Sequence, residues 1–160
     1  MANYAPSTRA RIADLVTGMR VERAAALVTA ATVDLFTVTG GRVLLTGLLG
    51  EISVKIAAVA TTLRILSTTT DTTAVLTYMS AVSADITGMD PGRMFTLPTA
   101  VGTALTISTG SSAADFSTAS EWILKTGALQ LLGSAAPGTG TIKWSAWYIP
   151  VDTGAYMTAA

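Results

Sequence analysis

The chain has 160 residues, half of them hydrophobic, with ten basic and ten acidic side chains and neither cysteine nor histidine. The missing cysteine excludes a disulfide scaffold, a thiolate metal site and a cysteine nucleophile, and the missing histidine removes the commonest general base and metal ligand. Balanced charge leaves no long-range field to draw the chain to nucleic acid or an anionic membrane, and the length suits one domain.

The first thirty residues hold Arg9, Arg11, Arg20 and Arg23 against Asp14 and Glu22, four basic groups against two acidic ones. They read as an N-terminal arm and first strand, either solvated or reaching a complementary acidic neighbour, ahead of a single β domain over 31–160. The polar, proline-containing stretch 1–11 has no apolar run of the kind a secretory signal needs. Further on, threonine is roughly one residue in six, and Val, Ile, Trp, Tyr and Phe recur in short alternating runs between Gly, Ser, Thr and Pro. That is the composition of strands and turns.

Gly40-Gly41 is a two-residue turn signal between apolar runs, so 33–49 reads as a hairpin. The run 43–50 is interrupted by Thr46, bounded by Arg42 and Glu51, and far shorter than the ~20 apolar residues of a membrane-spanning helix. Gly47 and Gly50 within it predict a bulge or a close backbone approach where the strand changes the side it buries. From Glu51 the period is two: Ile52, Val54 and Ile56 are expected on a core face, opposite Glu51, Ser53 and Lys55. Strands are also expected over 61–67, 93–97, 103–108, 121–126, 128–132 and 141–149. The best helix candidate is 73–83, with Leu76, Met79 and Val82 three apart and Asp71 or Thr72 as N-cap. Turn signals lie at Asp90-Pro91-Gly92, at Gly110-Ser111-Ser112 and over 135–140. The fold class that follows is all-β: a compact antiparallel sandwich or small barrel with an extended N-terminal arm and at most one short helix.

Chemistry near neutral pH is left to Asp, Glu, Lys, Arg and hydroxyls. No nucleophile-elbow, phosphate-loop, dinucleotide-binding or zinc-protease motif occurs. Asp85 and Asp90 flank Thr87-Gly88, an arrangement that fits a turn better than a calcium loop or a carboxylate pair, and Asp152-Thr153-Gly154 fits a terminal turn better than a metal site. No catalytic, cofactor-binding or metal-binding residue is assigned. Trp122, Trp144, Trp147, Tyr148 and Tyr156 could serve as a platform for sugars or bases. Strand alternation, however, sends Ile142, Trp144, Ala146 and Tyr148 one way and Lys143, Ser145, Trp147 and Ile149 the other. One tryptophan is then core and the other faces a partner. Side-chain amides, on which glycan recognition leans, are limited to Asn3 and Gln130. So apolar a chain, with so few charges to coat it, is expected to place part of its surface against another chain.

Two stretches, LFTVTGGRVLLTGLLGE over 35–51 and GTIKWSAWYIPVD over 140–152, together with Ala84-Asp85-Ile86-Thr87-Gly88, resemble a family of small virion proteins of tailed bacteriophages. Its members look like capsid decoration, or minor capsid, proteins. The resemblance implies a structural virion protein that binds the outer surface of the head and stabilises it. Its partners would be itself, as a homotrimer, and the phage major capsid protein, with no nucleic acid, membrane, cofactor or enzymatic activity involved. It further implies a central strand over 42–51 and an N-terminal contact with the capsid, which the local positive excess places at Arg9, Arg11, Arg20 and Arg23. Trp147 and Trp122 are the candidates for the oligomer or partner interface. A tail or fibre component and a carbohydrate-binding β module using Trp147 or Trp122 remain alternatives.

Overall fold

The computed structural model describes residues 18–70, 75–111, 113 and 121–160. Its strands are β1 (Met19–Leu27), β2 (Thr32–Thr39), β3 (Val43–Val54), β4 (Leu63–Thr69), β5 (Leu76–Tyr78), β6 (Met94–Thr96), β7 (Thr106–Ile107), β8 (Trp122–Leu124), β9 (Gly127–Gly133), β10 (Thr141–Pro150) and β11 (Tyr156–Ala159), with no helix among the described residues. They form two antiparallel sheets. The first has the order β1-β10-β3-β6-β7, with β8 also on β3, and the second has the order β11-β2-β9-β4-β5. The chain is thus an all-β sandwich.

Alternation decides the layers. An antiparallel sheet with one dry face and one wet face alternates apolar and polar side chains, and β10 does so: Ile142, Trp144, Ala146 and Tyr148 are buried. The second sheet answers with Phe36, Val38, Leu63, Ile65, Leu129 and Leu131, and the two sets make one core. Phe95 stacks on Trp144 within it, centroids 6.4 Å apart. Fully burying a side chain of this kind contributes ~1.5–3 kcal/mol, so the shared core is the main force holding the sheets together.

The long strand β3 keeps its apolar residues inward by inserting one extra residue. Trp147 pairs with Gly47 but Tyr148 pairs with Leu45, which leaves Thr46 as a bulge. Before it Val43 and Leu45 are buried, and after it Leu48 and Ile52. The bulge forecast from Gly47 and Gly50 is therefore present. The close approach is present too, because a Cβ on Gly50 would lie 2.7 Å from ring carbons of Trp144.

Four expectations need correction. The strands either side of Gly40-Gly41 do not pair as a hairpin: β2 belongs to the second sheet and β3 to the first, so the turn crosses between layers. Gly40 has φ 77°, which suits a tight reversal of either kind, and so the dipeptide marks a turn without naming the sheet. The segment expected as a helix contains β5 instead, and the Met79 and Ser80 amides both donate to the Ile65 carbonyl. Met79 is buried while Leu76 and Val82 are exposed, so the three residues share no face; Asp71, Thr72 and Thr73 lie outside the described residues. Val54, expected in the core, is exposed at the end of β3, though Ile52 and Ile56 are buried. Finally, the terminal turn at 152–154 leads into β11, a strand the sequence reading did not include. The arm expected before β1 falls outside the described residues.

Candidate functional site

The outer face of the first sheet carries two of the residues singled out in the sequence, Arg20 and Trp147. On β1, Arg20 stands opposite Trp147 of β10, its guanidinium carbon 5.4 Å from the indole centroid. A cation over an aromatic face contributes ~0.5–1 kcal/mol when exposed. Arg20 also pairs with Glu22, and Lys143 Nζ reaches the same carboxylate at 3.0 Å. The hydrogen bond from Lys143, followed by the nearby Arg20 charge, holds the Glu22 carboxyl below its usual range. Arg23 Nε donates to the Ala160 carbonyl at 3.2 Å, so this side chain ties β1 to the C-terminus. Of the four arginines expected to form a capsid contact, Arg20 and Arg23 therefore lie on one edge strand; Arg9 and Arg11 lie outside the described residues.

Trp147 and Trp122 part company. Trp147 is half-buried on the outer face, opposite Gly47. Trp122 lies opposite Leu45, an inward residue, and packs against the core. Its neighbour Ile123 faces outward in its place, 63% exposed and opposite Leu44. Leu44 is also opposite Ile149, so Ile149, Leu44 and Ile123 form an aliphatic row across β10, β3 and β8, beside Trp147. Sequence reasoning missed Ile123. The signal was the alternation in Trp122-Ile123-Leu124, outweighed by the size of the tryptophan.

At one end of the sandwich, Gly41, Arg42, Thr70, Lys125, Thr126 and Asp152 line an open cleft of about 430 Å³. Its arginine is already engaged: the Arg42 amide and Nε donate to Asp152 Oδ2 at 2.7 and 3.0 Å, and a second guanidinium nitrogen donates to Oδ1 at 2.8 Å. These hydrogen bonds lower the Asp152 pKa to about 2 and raise that of Arg42. The arrangement is a clasp between the β2–β3 crossing and the β10–β11 turn, with its cation neutralised.

The other acidic pair behaves as turn chemistry. Asp85 Oδ1 accepts from the Thr87 hydroxyl at 2.6 Å and from the amides of Thr61 and Thr87, each at 3.0 Å, and these bonds lower its pKa. Asp90 pairs with Lys55 at 2.8 Å, which lowers its pKa likewise. Among the described residues no three acidic side chains gather closely enough to hold a metal ion. Comparison with protein-family models, curated proteins and solved structures gives no match to this chain.

Proposed function

We propose that the chain is a structural virion protein that decorates the outer surface of a tailed-phage head and stabilises it. The observation that carries this reading is where the two stretches resembling phage decoration proteins fall. They supply β3 and β10, which pair with each other along ten residues of β10 at the centre of the first sheet. The motif thus coincides with the framework of the fold, and the outer face of that framework carries Trp147, Ile149, Leu44 and Ile123. An apolar patch of this kind, rimmed by Arg20, Glu22 and Lys143, suits contact with another protein.

The role is mechanical. A ligand that binds only the assembled shell stabilises it by mass action, in proportion to the logarithm of its concentration over its dissociation constant. Several linked contacts strengthen the effect through effective concentration. The basic N-terminal stretch supplies the shell contact in this reading.

The experiment uses particles with and without the purified protein, imaged and then heated. Added protein on the head surface, with a higher temperature of genome release, supports the proposal; protein found on the tail, or none bound, overturns it. A truncation tests the arm, and β1 sets where to cut. Removing 1–23 would take the first five residues of β1 with it, so the cut belongs before Gly18. Deleting 1–17 is expected to abolish particle binding while the rest of the chain keeps a cooperative thermal transition.

A further inference from the structure

An edge strand exposes a row of backbone donors and acceptors, and soluble proteins blunt such edges with short strands, lysine, proline or bulges. Among the described strands, four of the five at an edge are short: β5 and β8 have three residues each, β7 two and β11 four. The fifth, β1, has nine residues without lysine or proline, and among the described residues it pairs only with β10. A register shift between Arg23 and Ala26 interrupts its second half, which leaves 19–23 as the regular, open stretch. Met19 at its start is 40% exposed, and Tyr156 of the neighbouring edge strand β11 is 47% exposed.

The sequence of that stretch, Met19-Arg20-Val21-Glu22-Arg23, is charge-complementary to itself. We infer that β1 pairs antiparallel with β1 of a second copy, about a two-fold axis at Val21, to make one continuous sheet through both chains. In this register Arg20 lies opposite Glu22 of the second copy, and Glu22 opposite its Arg20. Both side chains stand on the outer face, level with Trp147 and Ser145, so they meet on the same side of the joined sheet. A slip of two residues either way places Arg20 against Arg20 or Glu22 against Glu22. Like charges directly opposite destabilise a strand pair, so the charges select the register as well as the partner. The Arg20–Glu22 and Lys143–Glu22 pairs within one chain are surface-exposed and exchange at little cost for pairs between chains.

A two-fold contact differs from the three-fold assembly implied by the resemblance; two trimers joined through β1 would contain six chains. The inference does not rest on the proposed virion role, because its test uses the purified full-length chain alone. Sedimentation is expected to give two or six chains per particle, and a wild-type mass of one or three chains overturns the inference. Arg20→Glu and Glu22→Arg each place like charges opposite one another, and each alone should weaken self-association at least tenfold. Mixed in equal amounts, the two variants regain opposite charges between chains while the pair within each chain stays broken. Mixed dimers in native mass spectrometry are therefore expected; singles that keep the wild-type mass, or a mixture that stays dissociated, overturn the pairing. Should either variant fail to fold, Val21→Cys decides the matter. The chain has no other cysteine, and residues facing each other across an antiparallel pair lie within reach of a disulfide. Mild oxidation should yield a covalent dimer of full-length chains, and absence of that dimer overturns the inference.

Discussion

Gly50 shows how much can depend on one missing side chain. It sits in the buried middle of β3, where a Cβ would press into the Trp144 ring at 2.7 Å. Since Trp144 is itself 1% exposed and stacked on Phe95, the ring has little room to yield. Gly50→Ala is expected to destabilise the fold by ~1–3 kcal/mol, the usual cost of overfilling a packed core. Urea unfolding checks it: the midpoint should fall with the slope unchanged, and an unaltered midpoint would mean that the ring moves freely. The Arg42–Asp152 clasp is the residue-scale case for pH. The folded carboxyl has its pKa depressed from 3.8 to about 2. Its contribution is therefore complete above the unfolded value and is lost as pH falls from about 4 toward 2. Asp152→Asn should lower the urea midpoint at pH 7 and remove that part of the acid loss, so that the two proteins converge near pH 2. Parallel pH profiles would count against the clasp. Sequence reading anticipated the Gly50 approach, because glycine within an apolar strand is itself a signal. It placed a turn at Asp152 but not the clasp, because a partner 110 positions away leaves no local trace.

At the scale of the strand, β10 is the element most fully legible in advance, and its two tryptophans allow a paired test. Trp144 points inward and Trp147 outward, as period two requires. Trp144→Ala should cost ~3–5 kcal/mol through the cavity it leaves. Trp147→Ala should cost less than this, because Trp147 is only half-buried and its cation contact with Arg20 contributes ~0.5–1 kcal/mol. Equal effects in thermal or urea unfolding would mean that the alternation has been misplaced. Elsewhere the element was visible and its partner was not. Gly40-Gly41 announces a reversal, but whether β3 returns beside β2 or crosses to the other layer depends on what else competes for its edges. β10 and β6 supply those competing partners from far along the chain. The helix expected over 73–83 is absent from the described residues for a similar reason. Apolar residues three apart over 76–82 match a helical face, yet Ile65 draws Met79 and Ser80 onto the edge of β4, and tertiary pairing outweighs a weak local pattern. β11 escaped notice because four residues after a turn carry too short an alternation to register. The candidate surface divides in the same way: Trp147 followed from alternation, whereas the row Ile149–Leu44–Ile123 exists only once three strands are set side by side.

For the molecule as a whole, the order of the strands predicts how it folds. The first sheet cannot be completed locally, since β1 and β3 both wait for β10, with Met19 pairing with Tyr148 and Val43 with Pro150. Closing such loops costs chain entropy before any contact offsets it, which places sandwiches of this kind in the millisecond-to-second range of folding. The core gives no reason for the sheets to form separately, because it is one cluster drawn from both, with Trp144 and Ile52 on one side and Phe36 and Leu129 on the other. Neither sheet can keep its inner face dry without the other, and their unfolding is expected to be a single event. All three tryptophans lie in β8 and β10, so their fluorescence reports the first sheet and, through the buried Trp144, the core it shares with the second, whereas far-UV circular dichroism reports the strands of both. The two signals should trace the same urea transition and the same refolding rate. A fluorescence change that precedes the circular dichroism change would show the first sheet coming apart while the second persists, and would mean that the core is two half-cores rather than one.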